Sequence, residues 1–508
     1  MKLHLDRREL LGLLVAGGAH ALSGFHLLGC GDPSSMEPVP AGDPLPFGGV
    51  TTSLPTEHDY IARIEGTIPR GLRGTLYRNG PGLFDRGELR KRCIVDGDGA
   101  IHQDRFGDGE VRFRNRFVQT EKYVEEQGAG AFLYDTWTTK APGTSDIPSI
   151  PNQAGVSVWK WRDRLYAFDE GTFPFELDPD SLDTVGLATL GLQNVVAAHP
   201  KKLAETGEWA HFGLDFASGR LHLAVLAPDG TVRESRVHQL RPTSYVHDFF
   251  PTASHIVVHL QPAILDLNKL LTGNAVRDSI AWRPEEGSRF LLFKRGTDEP
   301  PVEVEATPGW QWHTIGTHVR GNDIVCEWVG YDDGSNALGD DADICTIMSG
   351  TDRTPATHGT LRRTILPLSG GTATEEVIAD LGGQELPQIH RARIGLEPRY
   401  AYTTYNGSAG VLWSGLARTD LRTGTADLFD FGAGFVCGEP VFAPAPDTGP
   451  DIESGKEPGW LLSEVGDSAT GRAQLAIFDA EHVADGPIAR VHLEHHLPLK
   501  FHGEWNPA

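Results

Sequence analysis

Basic residues are scarce in this chain. Its 508 residues include 45 lysines and arginines against 69 aspartates and glutamates, which gives a formal net charge of -24 at pH 7. Affinity for a phosphate backbone comes from clustered Lys and Arg, so this composition argues against nucleic-acid binding. Cysteine is also scarce, with five residues and no CxxC pair. The absence of that spacing excludes a zinc ribbon and a thioredoxin motif.

The four cysteines beyond residue 30 lie far apart, at Cys93, Cys326, Cys345 and Cys437. Oxidising surroundings would permit a disulfide, but the spacing leaves open whether one forms. We expect these cysteines to be small, buried, apolar side chains.

Residues 1–30 have the features of an export signal. Arg7-Arg8 lies in a charged start, Leu10 to Gly29 is mostly apolar, and Leu-Leu-Gly precedes Cys30. The pattern resembles a twin-arginine signal that ends in a bacterial lipobox. It predicts an exported protein of the cell envelope, tethered to the membrane through a lipidated Cys30. The alternative is an N-terminal anchor that stays uncleaved.

The export signal is followed by a segment of different composition. Residues 31–45 are rich in Pro and Ser, which predicts a tether. No composition break divides residues 46–508, so we expect them to form one domain.

Helical periodicity is rare in that domain and occurs only at Thr120 to Gln127 and at Ile264 to Leu271. Short alternating runs dominate instead, and 60 glycines and 34 prolines supply turn signals between them. Val156 to Lys160 and Arg164 to Phe168 read as a hairpin. Further runs are Leu221 to Leu226, Ile256 to Leu260, Phe290 to Lys294, Ile324 to Tyr331, Arg399 to Tyr405 and Trp460 to Ser463. The pattern predicts an all-β fold, a β-propeller or a large barrel, although no sharp repeat is visible.

Four histidines share a local setting. His199, His247, His313 and His502 each lie beside an aromatic or small apolar residue, at the end of a β-like run. Imidazole suits iron, copper and zinc, whereas magnesium and calcium prefer oxygen ligands. Because the four are 48, 66 and 189 residues apart, no local metal motif contains them. They could meet only in a fold that gathers distant strands around one centre; the alternative for each is a solvated surface histidine.

Three glutamates in apolar runs, Glu170, Glu385 and Glu439, are candidates to orient these rings. A histidine ligand usually donates its other N–H to a carboxylate or a carbonyl, and a buried unpaired carboxylate is costly. The alternative for each glutamate is a solvent-facing turn carboxylate.

Several other motifs follow one another in the order of a known family. They are Gly66-Thr67-Ile68-Pro69, Gly74-Thr75-Leu76-Tyr77-Arg78-Asn79-Gly80-Pro81, Asp96-Gly97-Asp98-Gly99-Ala100-Ile101-His102, Arg114-Asn115-Arg116-Phe117-Val118-Gln119-Thr120 and Glu176-Leu177-Asp178-Pro179. Together with the histidine and glutamate segments they resemble the carotenoid cleavage oxygenase family. That family includes carotenoid and apocarotenoid cleavers, lignostilbene dioxygenases and the vertebrate retinoid isomerohydrolase. The resemblance covers nearly the whole chain after the tether.

The resemblance implies a seven-bladed β-propeller with a helical and loop dome over one face, holding Fe²⁺ on its axis. By motif match the ligands are His199, His247, His313 and His502. Three carboxylates are implied to orient one ring each: Glu170 with His247, Glu385 with His313, and Glu439 with His502. His199 is expected to lack a carboxylate partner.

The reaction implied by the resemblance is the insertion of O₂ across a C=C bond of an apolar polyene, which gives two carbonyl products. Iron suits this reaction because it activates O₂, whereas zinc has no redox chemistry. A tunnel would orient the polyene beside the metal. The candidate wall residues are Phe113, Phe132, Tyr134, Trp137, Phe173, Tyr245 and Phe249; the alternative for each is a core aromatic.

The chain departs from the family at two places. Ile94-Val95 stands where the family often has an aromatic residue. Lignostilbene cleavers place a tyrosine and a lysine at the substrate's phenol, and we align Phe113 with that tyrosine and find no matching lysine. This favours a carotenoid or apocarotenoid over a stilbene. The alternatives are a stilbene-type aryl-alkene dioxygenase, an isomerase that uses the iron without O₂, and a non-catalytic propeller lipoprotein that binds an apolar ligand.

Overall fold

The computed structural model describes residues 37–38 and 46–508, apart from residues 145–149, 340–341, 352, 408–409 and 452. The predicted export signal, including Cys30, lies outside the described residues, as does most of the predicted tether. Within the tether, Glu37–Pro38 forms a short strand that pairs with Leu89–Arg90.

The alternating runs fold into antiparallel hairpins, as the predicted one illustrates. Ser157–Trp161 pairs with Arg164–Phe168, with Ser157 opposite Phe168. Arg162 closes the turn with a φ of 58°, in the left-handed region. Each strand buries apolar side chains in the core, so the hairpin interpretation is confirmed.

Such hairpins form seven sheets of four to six strands, the blades of a β-propeller. Blade 1 contains Asp59–Ile61, Gly74–Asn79, Pro81–Leu83, Asp98–Gly107, Glu110–Phe117 and His502–Pro507. Blade 2 contains Ser157–Trp161, Arg164–Phe168, Phe175–Leu177 and Thr184–Leu187. Blade 3 contains Lys201–Lys202, Trp209–Asp215, Arg220–Leu226 and Val232–Gln239.

The remaining blades follow in chain order. Blade 4 contains Phe250–Pro251, His255–Leu260, Ser288–Lys294, Val302–Ala306 and Gly371–Thr372. Blade 5 contains Trp310–Arg320, Asp323–Tyr331, Thr360–Pro367 and Thr374–Ala379. Blade 6 contains Gln384–Gln388, Tyr400–Tyr405, Gly415–Asp420 and Ala426–Asp430. Blade 7 contains Arg63–Gly66, Phe435–Cys437, Val441–Pro444, Gly459–Asp467, Arg472–Asp479 and Ala489–His492. The seven-bladed propeller is therefore confirmed.

Two smaller sheets accompany the blades. One joins Glu37–Pro38, Asp85–Arg86 and Leu89–Arg90, and the other joins Ala263–Leu265 to Ile280–Trp282.

The C-terminal strand closes the ring. His502–Pro507 pairs with Gly74–Asn79, so both ends of the propeller domain contribute to blade 1. Gly503 is required at this approach, because a Cβ there would lie 2.0 Å from the carbonyl oxygen of Tyr77. The pairing holds residues 502–507 in blade 1.

Few helices interrupt the strands. Among the described residues the α-helices are Glu121–Ala129, Leu267–Leu271 and Asp343–Thr346. The 3₁₀ helices are Pro46–Gly49, Ile94–Asp96, Arg277–Ser279, Pro284–Glu286, Ile347–Ser349, Arg391–Arg393 and Val483–Asp485. None of the helices in the described part of the chain has the length and apolar character to cross a membrane.

The first predicted helix is confirmed and the second is shorter than predicted. The Thr120 side chain accepts a hydrogen bond from the backbone N–H of Tyr123 and caps the first helix. In the second segment, Ile264 belongs to a strand. That strand ends at Leu265, and Asp266 caps the following helix by accepting hydrogen bonds from the backbone N–H groups of Asn268 and Lys269. The apolar run from Ile264 to Leu271 therefore includes the end of a strand and a short helix, rather than one continuous helix.

The cysteines divide into two classes. Cys326 and Cys437 are free and buried, as predicted. Cys93 and Cys345 form a disulfide across 252 residues of sequence. The expectation that all four would be free apolar side chains is therefore wrong for this pair. Cys93 precedes the 3₁₀ helix Ile94–Asp96, Cys345 lies in the α-helix Asp343–Thr346, and the two segments pack together in one hydrophobic cluster.

Candidate metal centre

The four predicted histidines meet on the propeller axis. Each lies at or just before an edge strand of a different blade: His502 in blade 1, His199 in blade 3, His247 in blade 4 and His313 in blade 5. Because the four rings come together, these edge strands face the axis. One ligand nitrogen from each ring lies within 4.8 Å of the others.

All four rings are buried, with at most 9% of any residue exposed. The Nε2 atoms of His199 and His247 are 3.0 Å apart, and the centroids of the His313 and His502 rings are 4.6 Å apart. Within the described residues, Nε2 of His313 is buried without a hydrogen-bond partner. A buried polar atom without a partner is costly, so convergent ring nitrogens of this kind fit a metal ion as their shared partner. A set of imidazoles fits a first-row transition metal.

Burial favours neutral imidazoles at most of this site. It holds the pKa of His199 well below its usual value, and the three neighbouring histidines add to the effect. Burial also lowers the pKa of His502 to about 4, although Glu439 opposes the shift. For His313, burial again favours the neutral ring, but the charge and hydrogen bond of Glu385 raise its pKa above the usual value. Neutral rings offer the lone pair that a metal requires.

Glu170 contacts His247. Its carboxylate is bonded to Nδ1 of that ring, which leaves Nε2 aimed at the axis. The Tyr245 hydroxyl lies 3.1 Å from Oε2 of Glu170 and 3.1 Å from Nδ1 of His247. Burial and the charge of Glu170 hold the pKa of Tyr245 well above its usual value, so the phenol stays protonated and donates.

Glu385 contacts His313 in the same way. Its Oε2 lies 2.5 Å from Nδ1 of the ring and accepts a second hydrogen bond, at 2.6 Å, from the backbone N–H of Leu386. Leu386 has a φ of 49°, in the left-handed region that non-glycine residues seldom occupy. Conformations of this kind cost of order 1 kcal/mol and concentrate at functional sites.

Glu439 contacts His502. Its Oε1 lies 2.9 Å from Nδ1 of the ring and accepts a hydrogen bond of 2.8 Å from the Gln388 amide. Its Oε2 accepts from the backbone N–H of Gly503 and from the Arg78 guanidinium. Burial opposes ionisation, but the charge of Arg78 and the hydrogen bonds from His502 and Gln388 lower the pKa of Glu439 to about 2. The carboxylate is therefore ionised at neutral pH.

The three pairings are those that the family resemblance implied. As that resemblance also implied, His199 has no carboxylate partner in the described part of the chain. A residue without a predicted role joins two of the ligand strands: Oδ2 of Asp248 accepts hydrogen bonds from the backbone N–H of Thr314, at 2.9 Å, and from its hydroxyl, at 2.7 Å. The position of Asp248 directly after His247 was the available sequence signal.

A cavity of about 180 Å³ lies against the histidines His247, His313 and His502. Connections between strands contribute to its wall through residues 94–95, 137–138, 150, 153, 277, 336–338, 344, 347, 355, 357–359 and 410–413. These connections correspond to the expected dome. The aromatic residues of the wall are Trp137, Tyr245, Trp310, Trp312, Tyr331, Trp413 and Phe501. The cavity is therefore mainly apolar and aromatic beside a polar metal-binding centre.

Trp137 and Tyr245 are the predicted wall residues that line this cavity. Phe113 and Phe249 do not line it, because each is fully buried between strands, in hydrophobic clusters of the propeller core. Phe173 packs on another such cluster.

The last two predicted wall residues are also elsewhere. Phe132 is buried beneath the Lys91 ammonium, 4.3 Å from its ring centroid, and the Tyr134 hydroxyl is bonded to Glu125. The sequence analysis missed Trp312 and Phe501, whose position directly before a candidate ligand was the available signal. Ile94-Val95, where the chain departs from the family, lines the cavity.

Comparisons with known proteins agree with this architecture. The family model described as "RPE65: Retinal pigment epithelial membrane protein" matches residues 51–507. The apocarotenoid-15,15'-oxygenase of Synechocystis is 29% identical over 476 residues, covering 89% of this chain and 94% of that protein. The isoeugenol monooxygenase of Pseudomonas putida is 28% identical over 487 residues, covering 89% of this chain and 96% of that protein.

A solved structure extends the likeness to three dimensions. The crystal structure of the cobalt-substituted Synechocystis apocarotenoid oxygenase superposes with a TM-score of 0.82 at 28% identity, covering 90% of this chain and 97% of that one. Residues 51–507, which the family model matches, include all seven blades and the four histidines. This chain belongs to the retinal pigment epithelial membrane protein (RPE65) family, the family of the carotenoid cleavage oxygenases.

Proposed function

We propose that this chain is a non-haem iron(II) dioxygenase that cleaves a C=C bond of a carotenoid or apocarotenoid with O₂, giving two carbonyl products. The observation that carries the proposal is the position of the four-histidine centre: it borders a cavity walled mainly by aromatic and aliphatic side chains. An extended conjugated hydrocarbon fits such a wall, and its reacting bond would lie beside the centre.

His199, His247, His313 and His502 would hold the metal. When bound, iron(II) would supply the activation of dioxygen, which zinc, having no redox chemistry, does not provide. The chain's own residues prepare the site for it. Burial keeps His199 and His502 neutral, and the three glutamates fix which nitrogen of each paired ring points to the axis.

The cavity would supply orientation and exclude water. Trp310 and Tyr245 stack on one another, with centroids 5.6 Å apart, and form a rigid part of the wall. The Trp312 indole N–H donates to Oδ1 of Asn336 at 2.7 Å, which locks that ring across the His247 imidazole, 4.8 Å away. Fixed aromatic faces hold a flat conjugated chain in one orientation, which raises its effective concentration at the reacting position.

A second candidate substrate class is an aryl-alkene, such as a stilbene or a propenylphenol. Two observations support an aryl-alkene as a candidate substrate. The related protein from Pseudomonas putida is named an isoeugenol monooxygenase. In addition, Phe113 lies in the core rather than at the cavity, so its identity no longer argues against an aryl substrate.

The test is product analysis with purified, iron-loaded protein incubated with carotenoids, apocarotenoids, stilbenes and isoeugenol under ¹⁸O₂. We expect a carotenoid or apocarotenoid to yield two carbonyl fragments that carry the label, and no turnover without O₂. Cleavage of the aryl-alkenes alone would select the second class. Oxygen-independent isomerisation, or a protein that binds no iron and turns over nothing, would refute the proposal.

Export and membrane tethering are a separate part of the proposal, which the sequence of residues 1–45 supports. Lipidation of Cys30 would place the oxygenase at a membrane of the cell envelope, where apolar polyenes concentrate. Expression of the full chain and of Cys30→Ala, followed by cell fractionation and fatty-acid labelling, tests this. We expect the label and the membrane fraction to be lost in the variant; equal fractionation of the two proteins would contradict it.

A further inference from the structure

Arg78 is a buried cation close to the centre. Its side chain is fully enclosed, in the strand Gly74–Asn79, where it lies opposite Gly503. A buried charge is costly unless it is paired and its donors are satisfied. Each of the three guanidinium nitrogens is bonded, so the chain holds this charge in one defined position.

The partners of Arg78 belong to the environment of His502. Nη1 is bonded to Glu439, the carboxylate that contacts the His502 ring. Nε donates to Oε1 of Glu464 at 2.8 Å. Nη2 donates to the main-chain oxygens of Lys500, at 3.3 Å, and Phe501, at 3.4 Å. One guanidinium therefore holds both the carboxylate behind His502 and the main chain that leads into it.

This arrangement distinguishes His502 from the other two paired histidines. Glu439 accepts hydrogen bonds from four groups, one of them a cation. Glu385 accepts from the backbone N–H of Leu386 and is bonded to the Tyr331 hydroxyl, and Glu170 is bonded to the Tyr245 hydroxyl, so the groups that support these two carboxylates are neutral. Only the Glu439 carboxylate of these three is anchored by an arginine among the described contacts.

The strand His502–Pro507 does not by itself set the orientation of the His502 ring. Main-chain pairing with Gly74–Asn79 fixes the path of this strand, but it does not fix the rotation of the imidazole. The contact of Glu439 with Nδ1 fixes the ring, and Arg78 fixes Glu439.

We propose that Arg78 is the positioning residue for His502: through Glu439 and the carbonyl groups of Lys500 and Phe501 it sets the orientation of the fourth metal ligand. This inference rests on the proposed function, in that it takes the four histidines to be the metal ligands. A planar guanidinium reaches these groups simultaneously, whereas a lysine ammonium is a single point charge on a flexible stem and does not.

Arg78→Lys tests the proposal because it retains the positive charge and loses the planar guanidinium group with its several fixed donors. We expect metal-free protein to bind Co²⁺, measured against a competing chelator, about tenfold to a hundredfold more weakly than the wild type, as for other groups that orient a ligand. We also expect the visible spectrum of the bound Co²⁺ to change, which a loss of fold stability alone would not produce.

Arg295→Lys is the matched control. The Arg295 guanidinium likewise bridges two glutamates, Glu208 at 2.9 Å and Glu234 at 2.7 Å, and donates to a main-chain oxygen, that of Thr252, at 3.4 Å. Its side chain is 6% exposed. We expect this variant to lower the thermal midpoint without altering the Co²⁺ affinity or spectrum. Equal effects on Co²⁺ affinity from the two substitutions would overturn the proposal.

A double-mutant cycle with Glu439→Gln tests the route of the effect. If Arg78 acts through Glu439, adding Arg78→Lys to Glu439→Gln should weaken Co²⁺ binding by less than about twofold further. Fully additive losses would refute that route. A wild-type protein that binds no Co²⁺ would refute the proposed function itself, whereas normal binding by both wild type and Arg78→Lys would refute only this inference.

A second variant covers the case in which Arg78→Lys fails to fold. Glu464→Gln weakens the hold on the guanidinium Nε and leaves Arg78 and Glu439 in place. We expect a smaller loss of Co²⁺ affinity, about threefold to tenfold, with the same direction of spectral change. Wild-type affinity and spectrum in this variant would overturn the proposal.

Discussion

Replacement of Glu385 by Gln removes a charge from behind His313 with little change of shape. The carboxylate Oε2 accepts hydrogen bonds from His313 Nδ1 at 2.5 Å and from the backbone N–H of Leu386 at 2.6 Å. A glutamine oxygen can keep both bonds, but hydrogen bonds to an ionised acceptor are roughly twice as strong as neutral ones. The imidazole would therefore become a weaker ligand, by about tenfold to a hundredfold in metal affinity.

A second cost falls on folding rather than on metal binding. The Glu385 carboxylate is buried and is bonded to the Tyr331 hydroxyl, so the new amide NH₂ would enter an enclosed site that now holds only acceptor oxygens. An unsatisfied buried donor costs about 1–3 kcal/mol of stability. This cost is common to the metal-free and the metal-bound protein, so the two effects separate when affinity and unfolding are measured independently.

The assay is a chelator competition for iron(II), together with denaturant unfolding of the metal-free protein and kcat/KM for the substrate that product analysis identifies. Glu457→Gln is the control: Glu457 is also buried, accepts from the Tyr402 hydroxyl at 3.0 Å, and has its pKa raised by burial to about 7. We expect its metal affinity to be that of the wild type. Iron affinity of Glu385→Gln within twofold of the wild type, or an equal loss in the control, would refute this reasoning.

Three further predictions concern the site, a buried histidine and the disulfide. His247→Ala should lose iron and activity while its far-UV circular dichroism stays unchanged; full activity would contradict the ligand assignment. Burial lowers the pKa of His211 to about 3, so below pH 6.5 the unfolded chain takes up a proton that the native chain does not, and stability falls as the pH falls. Denaturant unfolding of metal-free protein should show that His211→Phe removes about 2 kcal/mol of the stability difference between pH 7 and pH 5; an unchanged pH dependence would argue against it. The double variant Cys93→Ser, Cys345→Ser opens a cross-link over 252 residues and should lower stability by up to about 5 kcal/mol; it should also raise KM, since the residues flanking both cysteines line the cavity. A wild-type thermal midpoint and a wild-type KM in that variant would contradict the expectation that the disulfide stabilises the fold and holds the cavity wall in place.

The strands were readable from local pattern because alternation along a half-buried strand has a period of two residues. The residues that line the cavity could not be predicted from local pattern. A propeller strand that is buried on both faces, such as Gly74–Asn79, carries no alternation to show where a side chain points. Phe113 and Tyr245 were both candidate wall residues, yet one lies in the core and the other at the cavity. The facing blade, not the strand's own sequence, makes that difference.

Long-range pairings were hidden for a similar reason. Cys93 and Cys345, or Arg78 and Glu439, are hundreds of residues apart, and no local spacing relates them. The histidines were found because each lies in a recognisable motif, whereas Arg78 lay within a matched motif without any signal of its role.

The sequence by itself determined that this chain would form many short strands with few helices, and it determined which imidazoles were candidate ligands, because both properties depend on near neighbours in the chain. The family resemblance added which carboxylate faces which ring. Only the tertiary structure decided which cysteines join, which arginine holds Glu439, and which aromatic residues line the cavity. Those outcomes depend on how seven blades close around one axis, where residues distant in sequence share a volume too small for any but one arrangement of their side chains.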